Sequence, residues 1–245
     1  MTRWLNKNIF FLFLQVYENC DDNKDSISTD YQSKHKCCDS EYFHTEILNA
    51  HISKKFKCSD VEELINDDFD EDVKIINFFN PPTASICQIL SSALCLEFKE
   101  VVHFGKYTEL TKPKDIHHTR RDGNCFFRSV SYVLTGSEQS HSVFREKLIR
   151  HMKNNIKDIL RNYLAKDVVY YINNSNMENN GTWATDAEIM SSANLVGMDI
   201  IMYVKSGKCF NWLIYPASFT LKKRSEYAIY LTNIDNHFDV ILSVV

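Results

Sequence analysis

Two groups of side chains, far apart in the chain, have the types and spacing for nucleophilic chemistry. The first is Cys125, in the run Arg121-Asp122-Gly123-Asn124-Cys125-Phe126-Phe127-Arg128. Behind it Phe126, Phe127, Val130, Val133 and Leu134 recur at helical spacing, and Gly136 stands where a C-terminal cap belongs. This predicts a loop that delivers Cys125 to the first turn of a helix. The unpaired N–H groups of a helix N-terminus carry about half a positive charge, which favours thiolate over thiol. Gly123 can turn the loop sharply and admit another backbone at close range. The N–H groups around Asn124 and Cys125 could hold a developing oxyanion. The competing reading is a buried packing cysteine at a helix start.

The second group is His237 and Asp239. Ser225 to Leu231 is a β-rich run, Asn233-Ile234-Asp235-Asn236 is turn chemistry, and His237 to Leu242 is a second run. Residues i and i+2 share a face of a strand, so His237 and Asp239 point the same way while Phe238, Val240 and Leu242 face a core. A histidine held by a carboxylate is the general base and acid that a thiol nucleophile needs. A surface His–Asp pair at a strand end is the plainer alternative.

These elements must be positioned by the rest of the chain. Pro81-Pro82 is followed by Thr83 or Ser85 as a cap and by Ile86, Ile89, Leu90, Ala93 and Leu94 on one predicted helical face. That face needs cover, so the helix is expected to pack on the following domain. A further helical pattern starts at Ser142 (Val143, Leu148, Ile149, Met152) and continues through Ile156, Ile159, Leu160, Tyr163 and Leu164. Val168 to Ile172 is ambiguous between helix and strand, and Asn173 to Gly181 reads as a loop or weak helix end. Thr185 and Glu188 form a capping box for a helix ending near Gly197. Trp183, just before it, could wall a cleft or anchor the core. Asp199 to Val204 and Cys209 to Tyr215 read as paired strands, with Cys209 as a packing cysteine. Helices first and strands after indicate an α+β fold, a small sheet flanked by helices.

The ordered set Asp122-Gly123-Asn124-Cys125-Phe126-Phe127-Arg128, Trp183-Ala184-Thr185 with Glu188, and His237-Phe238-Asp239 resembles the ovarian-tumour (OTU) family of cysteine proteases. The resemblance covers roughly residues 112–245, and no motif position departs from it. It implies a papain-like fold with a central sheet between helical regions. It also implies a deubiquitinase that cuts isopeptide or peptide bonds at the C-terminus of ubiquitin or a ubiquitin-like protein. Cys125, His237 and Asp239 would be its catalytic residues. The resemblance places Asp122 in the catalytic group too, although the reading of the residue itself favours a structural job, its carboxylate accepting loop N–H bonds and holding the oxyanion loop. Gly123 and Asn124 would form the oxyanion loop, and Trp183 and Asn236 would contact substrate. No cofactor or metal is implied, and the partners would be ubiquitin or polyubiquitinated proteins. An inactive ubiquitin-binding module and a thiol hydrolase on another substrate remain the alternatives.

The chain of 245 residues has a net charge of −4, which gives no basic footprint for nucleic acid. Eight cysteines without a C-x-x-C pair, one of them a candidate nucleophile, suit a reducing compartment, so a cytoplasmic or nuclear protein is expected. Arg3 and Lys7 precede the apolar run Ile9 to Leu14, but no small-residue cleavage site follows, so secretion is not expected. The run is also far shorter than the roughly 20 residues that span a bilayer, and no membrane association is expected. Three regions result: a polar, partly disordered extension over 1–75 with an acidic run at 60–72, an amphipathic helical segment over 76–111, and the protease-like domain over 112–245. The acidic run could steer a basic partner such as ubiquitin. His35, Cys37, Cys38, His44, His51 and Cys58 have no standard zinc spacing and read as unliganded.

Overall fold

A computed structural model describes residues 78–206, 209–218 and 225–245. The His/Cys group at 35–58 and the acidic run at 60–72 lie outside the described residues. In chain order the elements are β1 (Phe78–Phe79), α1 (Ala84–Ala93), β2 (Thr108–Glu109), β3 (Ile116–His117), α2 (Cys125–Thr135), α3 (His141–Asn154), α4 (Lys157–Leu164), α5 (Val168–Ser175), α6 (Asp186–Val196), β4 (Asp199–Ser206), β5 (Cys209–Tyr215), β6 (Ala228–Ile234) and β7 (His237–Ile241). The ambiguous run after Ala165 is therefore helix α5. Asp167 explains it, since its carboxylate caps the N–H groups of Val169 and Tyr170. The capping box at Thr185 and Glu188 forms as its spacing predicts.

Five strands make one mixed sheet in the order β3-β7-β6-β4-β5, with β4 and β6 parallel and the other neighbours antiparallel. Alternation along the strands divides two cores. Ile200, Met202, Ile229, Leu231 and Val240 join the helices on one face. Ile201, Tyr203, Trp212, Tyr230 and Ile241 pack with Phe79 on the other. This is the α+β arrangement indicated by the element order. β6 and β7 are joined by a two-residue turn, Asp235-Asn236, with φ of 53° and 57°. Both values are left-handed, as a type I′ hairpin requires, and Asp and Asn tolerate them.

α2 is buried along nearly its whole length. Its last carbonyls have no partner within the helix, and α1 supplies one for two of them. The Cys87 thiol donates to the Val133 carbonyl at 3.4 Å and the Ser91 hydroxyl to the Leu134 carbonyl at 2.7 Å. The buried positions of α1 are consequently Cys87 and Ser91, continued by the C-cap residue Leu94. Ile89, expected on the apolar face, is turned outward and 68% exposed. Polar satisfaction of α2 set the rotation of α1, rather than its apolar count. Cys209, read as a packing cysteine, is disulfide-bonded, because pairing depends on proximity in the fold rather than on sequence spacing.

Candidate active site

Cys125 is the first residue of α2 and only 7% exposed. Its sulfur faces the backbone N–H of Phe238, on β7, as well as N–H groups of its own helix start. These donors favour thiolate, as the helix-start reading predicts. Burial outweighs them, however, and pushes the Cys125 thiol above the ordinary range, with the nearby Asp122 charge acting in the same direction. Burial thus opposes the helix-start effect that the sequence predicts.

The strand periodicity places His237 and Asp239 together, with His237 Nε2 3.0 Å from Asp239 Oδ1. His237 Nε2 also lies 3.1 Å from the Thr119 carbonyl. A carbonyl only accepts, so Nε2 carries the proton, and in the neutral ring Nδ1 keeps its lone pair. Asp239 in turn accepts the Thr119 N–H at 2.8 Å and meets the exposed His118 at 3.2 Å. The Thr119 hydroxyl reaches Ser129 on α2 at 2.9 Å, and Ser129 donates to the Phe238 carbonyl at 3.2 Å. The segment after β3 thus ties strand β7 to helix α2. Sequence reasoning missed Thr119, because backbone contacts leave no mark on residue type. No hydrogen bond joins the Cys125 sulfur to the His237 ring in this structure.

Asp122 has a holding position. Arg128 Nη2 meets its Oδ2 at 2.6 Å and Arg128 Nε meets both oxygens, a forked ion pair. The carboxylate also accepts the Asn124 N–H at 3.0 Å, and these contacts hold it well below the usual carboxylate range. That N–H is consequently committed, which corrects its assignment as an oxyanion donor. The Asn124 side chain turns the other way, and its Oδ1 accepts the Gly181 N–H at 2.8 Å. Gly123, at φ +76°, presses against Gly181 so closely that a Cβ there would stand 2.1 Å from the Gly181 carbonyl oxygen. Only glycine fits that approach.

Trp183 is 48% exposed. It lines a cleft together with Cys125, Asp186, Asn233, Asn236 and Phe238. Of its two readings, the wall is the one observed. Asn236 is brought in by the hairpin turn. His237 is buried beside this cleft and does not line it.

Residues 120–238 match the family profile described as OTU-like cysteine protease. This stretch is an OTU domain. The OTU domain is similar to a curated Arabidopsis thaliana protein named ovarian tumor domain-containing deubiquitinating enzyme 7, with 27% identity over 82 residues. That match covers 34% of this chain and 22% of the relative, so the chain spans about a fifth of the length of the curated protein it matches. Among solved structures, the viral OTU domain protease of Qalyub virus is 20% identical with a TM-score of 0.43, covering 51% of this chain and 82% of that one. The Hazara virus OTU, solved bound to ubiquitin, is 16% identical with a TM-score of 0.41, covering 51% and 79%.

Proposed function

We propose that this OTU domain is a cysteine deubiquitinase, hydrolysing isopeptide or peptide bonds at the C-terminus of ubiquitin or a ubiquitin-like protein. The observation that carries the chemistry is the placement of His237 Nε2 against both Asp239 and the Thr119 carbonyl, two acceptors that favour a proton on that nitrogen. His237 Nδ1 takes the Cys125 thiol proton as the sulfur attacks the scissile carbonyl. Asp239 orients the ring and stabilises its charged form. The Gly123 and Cys125 N–H groups face the tetrahedral oxyanion. Collapse of the intermediate returns the proton from His237 to the leaving amine and leaves a thioester on Cys125. Water, deprotonated by the same histidine, hydrolyses it. Asp122 and Arg128 hold the loop, and Trp183 and Asn236 border the substrate. Ubiquitin is supported by the family and by the name of the Arabidopsis relative.

A second reading, a ubiquitin-binding module without turnover, draws on the buried thiol and its lack of a hydrogen bond to the ring. Ubiquitin carrying a C-terminal thiol-reactive warhead separates the two. Wild type labelled by one ubiquitin and Cys125→Ala unlabelled supports the enzyme. Binding without labelling supports the module. Neither binding nor labelling, with Cys125 still alkylated selectively by a small reagent, removes ubiquitin and leaves a thiol hydrolase of other specificity.

A further inference from the structure

Arg145, on α3, is 2% exposed, and its guanidinium spans the two loops that border the cleft. Nη2 donates to the Asn124 side-chain oxygen at 2.9 Å and to the Thr182 carbonyl at 2.7 Å. Nη1 donates to the Met177 carbonyl at 2.9 Å. The guanidinium carbon lies 3.6 Å from the centre of the Phe127 ring, which supports its plane. Burial lowers its pKa only to about 10, so it is a cation at neutral pH.

The placement of these acceptors is informative. One lies in the 122–125 loop beside the nucleophile, and the other two lie in the 177–182 loop that leads into Trp183. The Asn124 oxygen that takes Arg145 also takes the Gly181 N–H. Gly123 and Gly181 are in backbone contact alongside. One buried cation therefore fastens the loop that carries the oxyanion donors to the loop that carries the cleft wall. A planar fork can serve three acceptors in fixed directions, and a lysine ammonium cannot.

We propose that Arg145 is a positioning residue for acyl transfer, holding the Gly123–Cys125 backbone in register with the Gly181–Trp183 segment. The proposal rests on the deubiquitinase reading. Its signature is a separation of two reactions at the same sulfur. Attack on a carbonyl builds an oxyanion and depends on the loop N–H groups. Alkylation by iodoacetamide displaces iodide from a saturated carbon, builds no oxyanion, and depends only on the thiol and its base.

The experiment uses the full chain as wild type, Arg145→Lys, Asn124→Ala and the double variant. Turnover of a ubiquitin C-terminal fluorogenic amide gives kcat and KM, mass spectrometry of the Cys125 peptide gives the alkylation rate, and a thermal melt gives the folded fraction. Arg145→Lys is expected to lower kcat about 100-fold, the scale of a 1 Å misplacement, with alkylation of Cys125 within about twofold of wild type. The double variant is expected to be little worse than Arg145→Lys alone, since the two residues act through one contact. If Arg145→Lys does not fold, Asn124→Ala alone decides by the same separation. A kcat near wild type in the folded variant overturns the proposal, as do kcat and alkylation falling together with the folded fraction. A wild type that alkylates at Cys125 but turns over no ubiquitin substrate instead overturns the deubiquitinase reading, and this proposal falls with it.

Discussion

Replacing Gly123 by alanine tests the close contact between the two loops, and the structure supplies both the size of the effect and its control. Gly123 has φ +76°, where an L side chain costs roughly 1–2 kcal/mol. In addition the new Cβ would stand 2.1 Å from the Gly181 carbonyl oxygen. Relief to ordinary contact requires the loops to part by more than about 1 Å, and a displacement of about 1 Å already lowers turnover about 100-fold when it falls at a reacting centre. Gly197, the C-cap of α6, has a similar φ of +66° but nothing within 4 Å of its Cβ position. Gly197→Ala therefore carries the strain without the clash. Thermal melts and ubiquitin-amide kinetics on both variants separate the two terms. Gly197→Ala is expected to lose about 1–2 kcal/mol, a fall in Tm of a few degrees, and to keep kcat/KM. Gly123→Ala is expected to lose more stability and about two orders of magnitude in kcat/KM. Equal kcat/KM in the two variants would refute the reasoning, because it would mean that the loop spacing does not control the chemistry.

Among the proposed triad, Cys125→Ala is expected to abolish turnover and His237→Ala nearly so. Asp239→Ala is expected to lose less, since the Thr119 carbonyl still holds His237 Nε2; equal losses at all three positions in steady-state kinetics would contradict this order. Because burial raises the Cys125 thiol, its alkylation rate is expected to climb with pH through and beyond the ordinary thiol range near 8.5. A plateau of reactivity already present at pH 5 in the mass-spectrometric assay would reveal a preformed thiolate and contradict it. Glu188 is fully buried and its pKa is pushed up to about 6 from 4.5. The folded state binds the extra proton, so this stability is fully present below pH 4.5 and is lost as pH rises through 6, a change of about 2 kcal/mol. Glu188→Gln is expected to flatten that segment of a denaturation-versus-pH curve, and an unchanged slope would locate it in another group.

The cleft was legible where chemistry forces residue type or spacing. A capping box, a helix ended by Gly136 and a strand pair at i, i+2 are local rules, and they put Cys125, His237 and Asp239 on their elements. Arg145 left a weak signal that sequence reasoning passed over: a charged residue among Phe144, Leu148, Ile149 and Met152 on the buried face of α3. Such a residue is almost never buried without partners. The partners themselves were illegible, since Met177 and Thr182 contribute carbonyls, which every residue has.

The sequence by itself determined most of the longer elements, the fold class and the identity of the candidate nucleophile and base. These follow from short-range sterics, capping and apolar periodicity, all of which act within a few residues. Only the tertiary structure decided the burial of Cys125, the partners of His237 Nε2 and the rotation of α1. Each of these is set by burial or by a backbone group from a distant segment. Desolvation at Cys125 depends on what covers it, and the Thr119 carbonyl that fixes His237 comes from 118 residues away. No local pattern encodes those distances; packing does.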